Sequence, residues 1–289
     1  MTWPEQSLRR RRTRPAALAS SLATYLVLVA GAALTLGPFL LSVLTSLKTP
    51  RQLATESPLS LPNPVTGENF AALFSNDLID FGRAVRVTAL YAVVVLVLQL
   101  SFSVMAAYAF ARVRFPGRDA LFWVYLGTLM VPPVVTLVPL YLMMTTMGLR
   151  NTFWGLVLPY VLGSPYAIFL LREYFRGIPQ ELVDAARIDG AGHWRILTRI
   201  MVPLARPVLV TLGLITVVTH WNNFLWPLII TSGPRWGVIT VATASMQSQY
   251  NGNWTLVMAA TTTAVIPLIA VFIAFNKQIV NSISITGFR

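Results

Sequence analysis

Residues 178–207 read IPQELVDAARIDGAGHWRILTRIMVPLARP, the longest strongly polar interruption between two very apolar segments in the second half of the chain. Pro179 suits the first turn of a helix, where a missing N–H costs nothing. Glu181 and Asp184 follow, where carboxylates suit the positive end of the helix dipole. Leu182, Ala185, Ala186 and Asp189 fall on one face at i, i+3, i+4 and i+7 spacing, while Gln180, Asp184 and Arg187 lie on another. Gly190 then ends the helix, as the residue just past a C-cap does. A second helical run begins near His193 and stops before Pro203 and Pro207. The stretch predicts a short helix, a glycine break and another helix, held between two membrane spans. Small Ala side chains on an exposed helix let a second protein approach closely. An ordinary amphipathic helix at the membrane surface would show the same spacing.

The apolar flanks decide the class. Of 289 residues, 55% are hydrophobic and only 11% charged, against about 25% charged in a soluble domain. Composition therefore predicts an all-α membrane protein of several spans. There is no Cys and there are two His, His193 and His220, far apart in the chain. Disulfides and thiolate metal sites are excluded, and a His-based metal site is not expected. The net charge of +12 reflects arginines on the cytosolic side more simply than nucleic-acid binding.

Six spans follow from stretches long enough to cross about 30 Å of hydrocarbon. They are expected near 19–44, 87–111, 120–143, 153–171, 207–231 and 255–275. The first follows the basic run Arg9, Arg10, Arg11, Arg12 and Arg14, and is too long for a signal-peptide core of about 7–15 residues. The run itself reads as a topology signal with lipid phosphate contacts. Residues 1–18 are then a basic cytosolic terminus, 19–276 the membrane domain and 277–289 a cytosolic tail. Residues 48–86 read as an external loop with a short helix near Phe70–Phe74, and 232–254 as another external loop. Pro132, Pro133 and Pro139 interrupt the third span, where neighbouring helices must re-satisfy the freed backbone. Sixteen of the 22 basic residues lie on the side that carries both termini and the 173–207 loop. The remaining six are Lys48, Arg51, Arg83, Arg86, Arg150 and Arg235. Positive charge stays inside, so this side is cytosolic.

With those residues in view, the stretch resembles the EAA loop of ABC importer permeases, a motif of E-A-A, three residues, G, then I-x-L-P. Asp184-Ala185-Ala186, Asp189-Gly190-Ala191 and Ile200-Met201-Val202-Pro203 match it, with Asp for the leading Glu and Val for the Leu before Pro. The likeness extends over nearly the whole chain. It is greatest to the second permease of maltose-type carbohydrate importers, the branch that includes glycerol-3-phosphate importers. The resemblance implies a permease with a homologous second permease, two ATP-binding subunits that hold ATP and Mg, and an extracytoplasmic solute-binding protein. It also implies that Glu181, Asp184, Ala185, Ala186, Asp189, Gly190, Ala191 and Pro203 serve the coupling to the ATPase. The expected location is the bacterial inner membrane.

No catalytic group is expected. The only lysines, Lys48 and Lys277, do not stand in a P-loop pattern, and no nucleophile elbow or zinc-helix motif is present. The expected spans carry almost no ionisable residue, which argues against a proton-coupled secondary carrier; that class, and an ABC permease for a non-sugar solute, are the alternatives. In the fifth span His220, Trp221, Asn222 and Asn223 put polar groups roughly 20 Å above its cytosolic end. They fit either interhelical hydrogen bonding or a substrate path in which Asn222 and Asn223 bind hydroxyls and Trp221 stacks on a ring. The 232–254 loop resembles the one that reaches into the binding protein, with Gln247, Gln249 and Tyr250 as contacts. A solvated connector is the plainer reading.

Overall fold

The computed structural model describes residues 14–75, 79–249 and 253–286, and every regular element among them is helical. Three helices are long and apolar enough to cross a membrane unbroken: α1 (Arg14–Ser46), α4 (Phe81–Arg112) and α15 (Trp254–Thr286). An unbroken helix satisfies its backbone internally, the condition for standing in lipid. Short helices α2 (Pro50–Thr55) and α3 (Glu68–Phe74) fill the turn between α1 and α4. Beyond α4 come α5 (Arg118–Gly127), α6 (Pro133–Thr146), α7 (Phe153–Val157) and α8 (Pro165–Gly177). Then follow α9 (Gln180–Ile188), α10 (His193–Ile196), α11 (Val202–Leu204) and α12 (Arg206–Trp221), with α13 (Leu225–Ile230) and α14 (Ile239–Gln249) before α15.

The third expected span turns by 100° between α5, with its 3-10 turn to Met130, and α6. Pro132 and Pro133 cause the turn: a residue before proline is pushed out of the helical region, and proline has no N–H to continue the ladder. The fourth bends by 41° between Phe153–Tyr160 and α8, where Pro165 opens the new helix as a first-turn proline. Counting each bent pair as one crossing gives up to six.

Packing centres on α4, which lies against α8 on one side and α12 on another, while α1 lies along α15. One core cluster joins Ala107, Phe110 and Phe122 to Leu171, Phe175, Val183 and Met201. A second joins Tyr91 and Val95 to Leu156, Trp226 and Ile230. A third joins Leu73 and Phe81 to Trp221, Met246 and Leu256. Gly163 permits the closest approach to α4: a Cβ there would sit 3.0 Å from the Ser103 backbone nitrogen. The neighbouring Ser164 N–H donates to Ser103 Oγ at 3.0 Å. Large apolar side chains on α1, such as Leu22 and Leu34, are exposed, as befits a surface meant for lipid or another subunit.

Two expectations need correction. The fifth span is not continuous to Thr231: α12 stops at Trp221 and α13 resumes at Leu225. The 232–254 stretch is not all loop, since α14 occupies Ile239–Gln249. The last helix runs on to Thr286, while the apolar span within it is Trp254–Phe275, as expected. Lys48 opens the stretch expected as an external loop. It is fully buried, and Nζ donates to the Ser57 carbonyl at 3.1 Å, the Pro58 carbonyl at 3.3 Å and Ser60 Oγ at 2.9 Å. A buried ammonium survives only with its donors matched, and here three acceptors from one loop supply the match. Asn69 adds bonds to the Ser46 and Lys48 carbonyls, both 2.8 Å, and accepts from Thr255 on α15.

Candidate coupling loop and polar helix break

α9 starts one residue past Pro179 and ends in a hydrogen-bonded stop built on Gly190. Gly190 has φ +77°, its N–H donates to the Arg187 carbonyl at 3.0 Å, and the Ala191 N–H donates to the Ala186 carbonyl at 2.9 Å. These are the paired reverse bonds of a Schellman ending, which satisfies carbonyls that the last turn leaves open. The helix buries Val183 completely. Glu181, Leu182, Asp184, Ala185, Ile188 and Asp189 are exposed, and Ile188 is 87% exposed. Ala186, expected on the outer face, is half-buried and packs on the core with Ala191. The reason is Val183: once it faces inward, Ala186 three residues on must follow.

Two side chains of α4 fix this loop. The Arg112 guanidinium donates to the carbonyls of Phe175, at 2.5 Å, and Ile178, and to the Gln180 side chain. Tyr108 Oη lies 3.0 Å from His193 Nδ1 at the start of α10. A third clamp sits beside them: Arg172 is buried, bonds Glu173 at 2.6 Å and reaches Asp119 at 3.5 Å, with its guanidinium 4.0 Å above the Phe122 ring. Arg112, Tyr108 and Arg172 carry no spacing signal, so the sequence does not single them out. Their only mark is a polar group at the edge of an apolar run.

The second loop helix does not stop before Pro203. α10 passes through a wider π turn, Leu197–Met201, into α11, which contains a half-buried Pro203. The Val202 N–H donates to the Leu197 carbonyl. Widening the turn just ahead of Pro203 relieves the clash and the missing donor that would otherwise break the helix. The chain then turns by 81° into α12.

At its other end α12 stops in a cluster of polar groups. His220 is buried, with Nδ1 3.0 Å from Tyr91 Oη. Asn223 donates its side-chain amide to Tyr91 Oη and to Tyr160 Oη, each at 3.1 Å. Trp221 is buried, and its indole N–H donates to the Ala264 carbonyl of α15 at 3.0 Å. Asn222 is exposed, its amide bonded back to the Val218 carbonyl at 2.9 Å. The three candidates thus adjoin one helix break but face differently: Asn222 outward, Trp221 and Asn223 into neighbouring helices. Tyr91 and Tyr160, which the sequence analysis leaves out, complete the cluster. Of the other candidates, Gln247 is exposed on α14, Gln249 closes that helix, and Tyr250 lies outside the described residues. An open, largely apolar groove of about 720 Å³ runs between α4, α12 and α15, past Leu100, Val104, Leu209 and Val271.

The family described as "Binding-protein-dependent transport system inner membrane component" matches residues 99–285. The chain is 32% identical over 231 residues to the arabinooligosaccharides transport system permease protein AraQ of Halalkalibacterium halodurans, covering 79% of this chain and 81% of that protein. It is 31% identical to the diacetylchitobiose uptake system permease protein NgcG of Streptomyces coelicolor, covering 92% and 88%. It is also 31% identical to the sn-glycerol-3-phosphate transport system permease protein UgpE of Yersinia pestis, covering 90% and 94%. A chain in the crystal structure of a bacterial ABC transporter involved in the import of the acidic polysaccharide alginate superposes with a TM-score of 0.79 over 92% of this chain and 98% of that one, at 22% identity.

Proposed function

We propose a function from one premise: this chain belongs to the family of binding-protein-dependent transport system inner membrane components. It acts as the permease subunit of an ATP-driven importer whose cargo is a carbohydrate: a sugar, an oligosaccharide or a polyol phosphate. Relatives named for arabinooligosaccharide, diacetylchitobiose and glycerol-3-phosphate transport support that cargo class.

The observation that carries the mechanism is the exposed face of α9. Leu182, Ala185 and Ile188 point away from the core on a helix clamped by Arg112 and closed by Gly190. A rigid, partly apolar, small-residue face of this kind fits a groove on a cytosolic ATP-binding subunit. The chain itself hydrolyses nothing; two partner subunits bind ATP and Mg, and their closure moves α9 as a body. Glu181, Asp184, Ala185, Ala186, Asp189, Gly190, Ala191 and Pro203 form or support this coupling segment. A homologous second permease completes the pore, and the apolar groove beside α12 supports such pairing. Asn222 lines the cargo path at the helix break, with Trp221 and Asn223 packed behind it. Gln247, Gln249 and Tyr250 meet the extracytoplasmic binding protein, and both termini face the cytosol.

Co-expression with the neighbouring transport genes tests this reading. The tagged chain is expected to bring down an ATP-binding subunit from detergent-solubilised membranes. Ala185→Arg, which changes an exposed side chain, is expected to abolish that association while leaving the amount of membrane-inserted chain unchanged. Failure of the wild-type chain to retain any ATP-binding subunit would sink the proposal.

A further inference from the structure

Asn223 bonds to three other elements. One amide hydrogen goes to Tyr91 on α4 and the other to Tyr160, in the 3-10 turn after α7. With Tyr91 Oη accepting from Asn223, the tyrosine's own hydrogen is free for His220 Nδ1 of α12 at 3.0 Å. The backbone carbonyl of Asn223, released by the break, accepts from Thr240 Oγ1 of α14 at 2.7 Å. The adjacent Ile239 N–H of α14 donates to Thr88 Oγ1 of α4 at 2.8 Å. α14 is therefore tied to the break itself, and the break to α4, the 3-10 turn and α12.

We infer that Asn223 is a positioning residue that links the position of α14 to that of α12, so that events at the two ends of α12 are felt by each other. This rests on the reading given under Proposed function. α12 has sixteen residues, roughly 24 Å of helix. One end meets Asn223 and the other follows α11 and the coupling loop. A helix of that length moves as a lever. The break at its end holds the lever by side-chain bonds instead of a continuous ladder, and such bonds can exchange between two arrangements without unfolding the helix. A two-state element biased from both ends is what a coupling claim requires, and the bias is reciprocal. A role in packing alone would lower the yield of assembled complex and leave communication along α12 intact.

The natural chain has no cysteine, so Gln247→Cys on exposed α14 provides a single reporter. The importer, assembled without the binding protein that would cover Gln247, is labelled with a membrane-impermeant maleimide, without nucleotide and after trapping with ATP and vanadate, and the rate is read on this chain. With Gln247→Cys alone, trapping is expected to change the labelling rate by about two- to thirtyfold. Adding Thr240→Val is expected to keep assembly and basal ATP hydrolysis and to lose that change; adding Asn223→Leu should lose it as well. Wild-type-sized changes in the Thr240→Val complex overturn the inference, as does the absence of any change in the Gln247→Cys reference. If Asn223→Leu does not assemble, Thr240→Val alone decides. The functional reading has its own separate failure, which is that no ATP-binding subunit associates at all.

Discussion

Nothing lies within 4 Å of where a Cβ on Gly190 would be, so the position does not forbid bulk. What it demands is φ +77°, a region that costs an ordinary L-residue roughly 1–2 kcal/mol and that Asn enters more readily through local hydrogen bonds. Gly190→Asn should therefore keep uptake and complex stability near the natural level. Gly190→Val should lower the thermal midpoint of the complex and uncouple hydrolysis from uptake. Uptake measured beside ATP hydrolysis in vesicles checks both, and full uptake by the Val variant would remove any need for glycine here. This residue is readable from sequence because its job is local: a helix end and a backbone angle. Lys48 is the opposite case. In sequence it resembles any loop cation, and only the fold of residues 57–60 over its ammonium turns it into a buried strut.

α9 has nine residues, short of the roughly 12–15 that an isolated helix needs to hold itself together in water. Its place depends on Val183 in the core and on the Arg112 fork, which binds two carbonyls and a side-chain oxygen at the α8–α9 junction. Arg112→Ala should speed amide exchange across 180–191 and weaken retention of the ATP-binding subunit. Arg112→Lys should not restore either, because a point charge on a flexible stem lacks the planar fork that reaches all three acceptors. Equal exchange in the Lys variant and the natural chain would show that charge alone suffices. At this scale the sequence is uneven. The turn at Pro132 is legible because proline acts on its own neighbours, whereas the 41° bend before Pro165 falls inside a span expected to be continuous. The break at 222–224 has neither proline nor glycine to announce it. It exists because Asn223 finds tyrosines on two other elements, a tertiary fact. α14 is missed for a related reason: it shows almost no amphipathic asymmetry and is held by packing on α4 and α15.

For the whole molecule, length and hydropathy give six spans in the sequence, and in the structure three unbroken spans and three bent pairs, up to six crossings in all. The side on which each end emerges is a separate matter and rests on charge. With the six expected spans, sixteen basic residues fall on the side of the termini and the 173–207 loop, against six on the other. The burial of Lys48 weakens its weight as a solvated charge but does not reverse the bias. Because the natural chain lacks cysteine, single substitutions report topology cleanly. In intact cells, Gln247→Cys should react with a membrane-impermeant maleimide. Ala185→Cys, in a chain expressed without the ATP-binding subunits that would cover it, should react only after the membrane is opened, since both side chains are exposed on the chain itself and the expected spans put them on opposite faces. An α9 cysteine labelled in sealed cells would place the coupling helix outside, where no ATP-binding subunit could reach it.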